Sequence, residues 1–322
     1  MATVPTASPS LPPPVDDKQR QQYVENAQAA LFSTITTGKE ARLACRSKAL
    51  TLVTSGLAPG FLQANLIILP SRYAADFRLL CARNPVPCPL IAESAAPGSY
   101  DALRSYIPGS AVCEEGSLDL RHDAPRYMVY RDARVARSHV LDVEDEWAPD
   151  HVAFLVGCSY SFESALSAGG LAPRHFVQGR NVPMYRTTVP LCPAGVFSGG
   201  TYVVSMRPYP ASQVEKVRDV TRAYSATHGE PLAWGWDALA RLGIASVDDA
   251  QWGDAPLAAD GRTPLGALFG SDDEVPVFWG CGVTPQEAVI RAGDKIEGTV
   301  MAHAPGHMLV IDSRDEDIVG SS

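Results

Sequence analysis

The chain has no apolar run longer than a strand. The longest, such as NLIILP from Asn65, fall far short of the ~20 residues that cross a bilayer, which sets a membrane protein aside. It also has no cluster of lysine and arginine. With 27 Lys+Arg against 36 Asp+Glu and a net charge of -9, it lacks the positive surface a phosphate backbone needs, which excludes nucleic acid as a partner. The seven cysteines are odd in number, widely spaced and without a CxxC pair, so neither a disulfide framework nor a structural zinc site is expected. There is no GxGxxG after a strand, no GxxxxGK[ST], and no GxSxG with a fitting Asp and His. Nothing therefore suggests a nucleotide, flavin or pyridoxal cofactor. The first twenty-odd residues carry Pro5, Pro12, Pro13, Pro14, Asp16 and Asp17 but no apolar stretch of signal-peptide length. A disordered tail over residues 1–22 and a cytoplasmic protein are expected.

What is present is a core-forming chain with a repeated phrase. At 322 residues and 46% apolar content it can bury one large core or two modest ones. VAFLVGCSYSFESAL from Val152 and VPVFWGCGVTPQEAV from Val275 align without gaps, pairing Gly157 with Gly280, Cys158 with Cys281 and Ser161 with Thr284. Each copy reads as a buried strand, a Gly-Cys turn and a helix start, where unpaired N–H groups can take an anion and favour a thiolate. Thr284, Pro285 and Glu287 are expected to form an N-cap, an N1 proline and a capping-box acid.

Elsewhere strands and helices alternate. A helix is expected near Asp17 with Tyr23, Val24, Ala27 and Leu31, then the strand NLIILP and a helix from Ser71 with Phe77, Leu80 and Cys81 on one face. PRYMVYRD and RVARSHVLDV predict a hairpin turning at Asp132 and Ala133, TYVVSM predicts a strand, and residues 212–224 an amphipathic helix on Val214, Val217 and Val220. Residues 247–274, acidic and rich in Gly and Pro, read as a surface loop insertion.

SGLAPGFLQANLIILP, RNPVPCPL, APRYMVYRD, FLVGCSYSFESAL, GRNVPMYRT, PAGVFSGGTYVVSMRP, EVPVFWGCGVTPQ and HAPGHMLVID, in that order from Ser55 to Asp312, closely resemble the D-glutamate cyclase family, whose members mostly carry a hydro-lyase label. The resemblance implies an α/β fold: a larger α/β domain built from both ends of the chain, assigned to residues 23–145 and 212–316, with a smaller α+β domain inserted over residues 146–211. It also implies a lyase of amino-acid metabolism that removes water from D-glutamate to give 5-oxo-D-proline. One block departs from the family's usual HGAPVHIGDP: this chain reads HGEPLAWGWD, with Ala233 for a His and Trp236 for an Asp. If those positions line the site, Trp236 would contact a less polar substrate and D-glutamate would be a weak one.

Ring closure requires a deprotonated amine, an attacked carboxyl held by hydrogen bonds, and a proton for the departing oxygen. Arg186 and Arg207 lie at segment ends where a guanidinium could clamp a carboxylate, and Asn65 and Asn181 could orient one. Ser159, Ser161 and Thr284 on the two turns complete the substrate-binding candidates. His303, His307 and Glu163 are the candidates for proton transfer, with Cys158 and Cys281 beside them. HAPGH cannot be helical across Pro305-Gly306, and Asp312 is its only candidate third ligand, so no metal site is assigned. His122, His139, His151 and His175 have no comparable setting. The expected partner is a small acid, with homo-oligomerisation left open. A non-catalytic small-acid binding protein is the rival reading.

Overall fold

The computed structural model describes residues 30–319, so the expected tail and the helix positions Tyr23, Val24 and Ala27 lie outside the described residues. Two antiparallel sheets organise the molecule. The larger contains β1 (Phe61–Pro70), β2 (Leu90–Ser94), β3 (Leu103–Ser105), β4 (Tyr127–Arg131), β5 (Arg134–Val140), β6 (His151–Gly157), β11 (Thr299–His303) and β12 (Leu309–Arg314), in the order β3-β2-β6-β1-β11-β4-β5 with β12 also paired to β1. The smaller contains β7 (Met184–Pro190), β8 (Thr201–Tyr209), β9 (Ala233–Trp234) and β10 (Val275–Gly280), in the order β7-β8-β10-β9. The α-helices lying wholly among the described residues are α1 (Gly38–Arg46), α2 (Ala74–Arg83), α3 (Glu163–Ala168), α4 (Arg174–Val177), α5 (Val214–Arg222), α6 (Ala238–Leu242), α7 (Thr284–Ala292) and α8 (Asp315–Val319), and residues 30–34 are helical as well. None of the described helices is long and apolar enough to cross a membrane.

Local chemistry accounts for most elements. FLQANLIILP is buried along all but its first residue, as a central strand covered on both faces must be. β4 and β5 form the expected hairpin, and Asp132 (φ 49°) and Ala133 (φ 59°) supply the two left-handed residues of a tight turn that follows strand twist. α5 buries Val214 and Val217, and α2 buries Phe77, Leu80 and Cys81.

The repeat seen in the sequence is one part of a larger duplication. In the larger sheet β2-β6-β1-β12 are neighbours, and in the smaller β9-β10-β8-β7 follow the same order. The registers match as well, since Gly157 lies opposite Ala64 and Gly280 opposite Val204. Each of β1 and β8 runs into a 3-10 turn, Ser71–Tyr73 or Ala211–Gln213, and then into α2 or α5. The prolines that precede those turns share a conformation, φ -55° and ψ 137° at Pro70, φ -55° and ψ 139° at Pro210. The chain is thus two units, β1-α2-β2-β6-α3-β7 and β8-α5-β9-β10-α7-β12, with β3, β4, β5 and β11 added.

Their last strands are exchanged. β7 ends the first unit but bonds to β8 of the second, and β12 ends the second but bonds to β1 of the first. Residues 146–211 accordingly do not form one body: β6 lies in the larger sheet and β7 and β8 in the smaller, because each sheet is completed by a strand from the other unit. A single apolar cluster runs through both sheets, from Leu62, Leu66 and Phe162 to Val204, Met206 and Trp279. Residues 247–274 are not a free surface loop either. Trp252 bridges to Met184, the Asp254 carboxylate accepts from Asn181 N, and Leu265 is fully buried.

Candidate functional site

The duplication brings the two Gly-Cys turns together. Cys158, Tyr160, Val182, Met184, Val203, Cys281, Val283 and Met308 form one contact cluster, so equivalent turns of the two units and the residues entering both exchanged strands meet. The turns are built alike. Cys158 N donates to Gln63 O at 3.1 Å and Cys281 N to Val203 O at 3.1 Å. Cys158 Sγ accepts from Tyr160 N at 3.5 Å, and the Val283 N–H favours the Cys281 thiolate from the equivalent position. The hydroxyls of Ser161 and Thr284 hold the neighbouring strand: Gln63 N donates to Ser161 Oγ at 2.9 Å and Val203 N to Thr284 Oγ1 at 3.0 Å. In each turn the residue after the cysteine keeps its amide out of these bonds. Among the described residues neither Ser159 N–H nor Gly282 N–H donates to a protein group.

Asn65 sits between the turns. Its Nδ2 donates to Gly157 O at 2.9 Å and Val156 O at 3.2 Å, and a Cβ at Gly282 would fall inside the Asn65 amide. Glycine at 282 is therefore required by close approach rather than by backbone angle.

His303, on the strand beside β1, is 1% exposed. Its Nδ1 lies 3.0 Å from both N and O of Leu66, Gln286 Nε2 bonds to its carbonyl, and its Nε2 is buried with no partner among the described residues. Burial lowers its pKa to about 4, and His307 adds a smaller lowering. His307 is likewise lowered to about 4 by burial, its Nδ1 bonds to Pro305 O, and its ring meets His139 edge-on at 5.7 Å. Both imidazoles are neutral near pH 7, and a neutral imidazole can both take and give a proton. Asp312 is held by Arg42, away from these histidines' nitrogens.

Behind the first turn lies a buried ionic network. Glu163 Oε1 accepts from Arg207 Nε at 3.0 Å and Nη2 at 2.5 Å and lies 3.1 Å from His175 Nε2, while Oε2 accepts from Ser55 Oγ at 2.8 Å. Burial alone would raise the Glu163 pKa, but His175 and Arg207 together hold it at about 2. Arg207 is 0% exposed, lies over the rings of Phe162 and Trp279, and donates from Nη2 to Ser159 Oγ at 3.0 Å. It acts on the turn through Ser159.

Several sequence expectations change in this setting. The turns do not favour thiolates: burial pushes the Cys158 thiol far up and that of Cys281 to about 11, outweighing the N–H bonds that favour ionisation. Ser161 and Thr284 face neighbouring strands. Thr284 is the first residue of α7 rather than its cap, and Glu287 is held by Arg186 and Arg291 instead of closing a capping box. Arg186 therefore fastens α7 to β7 and does not reach the turns. Asn181 ties the two exchanged-strand loops, accepting from Tyr160 OH at 2.8 Å and donating to Pro305 O at 3.4 Å. Trp236 lies toward the start of β10, far from its Cys281 end: Gly235 N bonds to Pro276 O, and the indole donates to Ser271 O at 2.9 Å and packs on Phe269.

Sequence reasoning missed three participants. His175 joins the Glu163 network although nothing near it signalled a role. Ser55 lay in a quoted motif, but its contact is 108 residues away. His228 packs against Gly280, donates to Val86 O at 2.7 Å and has no partner for Nε2 among the described residues; the HG pair was the sequence signal, and the φ of 87° at His228 appears only in the structure.

The family model described as D-glutamate cyclase matches residues 152–312, which holds both turns and HAPGH. Proteins named "Putative hydro-lyase" are similar over most of the chain. One from Schizosaccharomyces pombe is 39% identical, covering 93% of this chain and 90% of its own length. Another from Bordetella petrii is 45% identical, covering 86% and 94%. A third, from Corynebacterium urealyticum, is 44% identical, covering 81% and 88%. The chain belongs to the D-glutamate cyclase family.

Proposed function

We propose that this protein is a hydro-lyase that closes a small amino acid on itself with loss of water, and that its substrate is D-glutamate, giving 5-oxo-D-proline. The observation that carries the reading is the meeting of two equivalent turns, each with an unused amide after its cysteine, beside a buried neutral imidazole whose Nε2 has no partner among the described residues. The substrate amine loses protons to His303, attacks the distal carboxyl carbon, and the oxyanion is held by a turn amide. The C–N bond forms and one C–O bond breaks. The two protons lost from nitrogen leave on the departing oxygen as water. The indole of Trp236 is bonded to Ser271 and distant from the turns, which supports D-glutamate over a less polar substrate.

The test is incubation of the purified full chain with D-glutamate and a panel of amino and hydroxy acids, read by mass spectrometry as an 18-dalton loss. Formation of 5-oxoproline is expected. Saturable binding of D-glutamate without any product would favour the binding-protein reading instead.

A further inference from the structure

The two turns are equivalent in backbone but not in what surrounds them. Ser159 is 4% exposed and its Oγ accepts from Arg207 Nη2. A hydroxyl whose lone pair takes a guanidinium N–H has its one proton left to give. Among the described residues no acceptor takes it, and the adjacent Ser159 N–H is also unused. The first turn thus offers donors alone, polarised by a charge that Glu163 and two aromatic rings keep in place.

The equivalent residue in the second unit is Gly282, which has no hydroxyl, and the space is filled by Asn65. Asn65 is 3% exposed, and two carbonyls accept from its Nδ2, so the remaining atom is the acceptor Oδ1, to which no described residue donates. His303 Nε2 is a second atom on the Asn65–Leu66 side with no partner among the described residues. The second turn therefore combines one donor with groups able to accept from an ammonium.

We propose that the duplicated turns are unlike half-sites: the Ser159 turn holds the substrate's non-reacting carboxylate, and the Gly282 turn with Asn65 and His303 receives the amine and the carboxyl that react. Only the word "reacting" rests on the cyclase reading; the binding of two carboxylates does not.

Glutarate, which has both carboxylates and no amine, and butyrate, which has one, are titrated calorimetrically into the full chain and its variants. Glutarate is expected to bind at least about tenfold more tightly than butyrate. Ser159→Ala keeps the backbone N–H and the Cys158 cap, and a thermal melt verifies its fold. It is expected to weaken glutarate about tenfold and raise KM for D-glutamate by a similar factor with kcat within about threefold, and Ser159→Thr should recover most of the loss. His303→Gln should lower kcat at least about a hundredfold, the opposite kinetic split to that of Ser159→Ala. Unchanged glutarate affinity in Ser159→Ala, or a fall in kcat in place of a rise in KM, overturns the half-site assignment even if D-glutamate is cyclised. Ser159-dependent glutarate binding with no turnover of D-glutamate supports the half-sites and sinks the cyclase reading.

Discussion

At the scale of single residues, the site depends on close approach and on neutral imidazoles. Gly282→Ala forces its methyl into the Asn65 amide, which has two backbone bonds to lose. The expected cost is about 1–3 kcal/mol of stability together with most of the activity, measured by urea titration and 5-oxoproline formation. A variant as stable and active as the parent would mean that Asn65 is not fixed between the turns. His228, His303 and His307 have pKa values lowered to about 4, against 6.5 for the ordinary imidazole. The unfolded chain takes up their protons first, so the stability each contributes is complete above pH 6.5 and is lost as pH falls toward 4. Each is worth on the order of 3 kcal/mol. Urea unfolding across pH 7 to 4 should show stability falling with uptake of two to three protons; a flat profile would show the histidines are not held neutral. Ala233→His with Trp236→Asp should cost stability and not raise D-glutamate turnover, because both residues belong to the apolar core. A rise in turnover measured at matched concentration would bring Trp236 back into the site.

At the scale of elements, each turn is fastened to the adjacent strand by one hydroxyl, Ser161 to the peptide of Gln63 and Thr284 to that of Val203. Removing either hydroxyl leaves a buried strand N–H without a partner, for an expected loss of about 1–2 kcal/mol in Ser161→Ala and in Thr284→Val. The two losses should be alike in chemical denaturation, since the geometry is alike; one near zero would show that the turns are not mechanically equivalent. This pairing was partly legible, because Ser161 and Thr284 align in the repeat. Their partners were not. A hydroxyl three residues after a Gly-Cys turn can as well cap its own helix, and only the register of β1 beside β6, and of β8 beside β10, brings a strand N–H within reach.

At the scale of the whole molecule, the exchange of β7 and β12 means that neither unit can complete its sheet alone. Unfolding is therefore expected to be a single cooperative transition. Tryptophan fluorescence, dominated by Trp234, Trp236, Trp252 and Trp279 outside the larger sheet, should coincide in urea with far-UV circular dichroism from both sheets. Separated midpoints would show that the units fold independently.

The sequence by itself determined the α/β class, the family, the central strands, the β4-β5 hairpin and the kinship of the two Gly-Cys turns. These are local signals, carried by continuous apolar runs, turn residues and motif order. Only the tertiary structure decided that the duplication reaches back to β1 and β8, where Gly60 and Pro70 match Gly200 and Pro210 while aligned buried positions between them differ in character, Gln63 against Val203 and Ile67 against Arg207. It also decided that Arg207 is matched by Glu163, that His175 and His228 stand behind the turns, and that Trp236 does not. Each of those outcomes is a contact between residues far apart in the chain, and no periodicity or motif encodes which buried charge will meet which partner once the two sheets close.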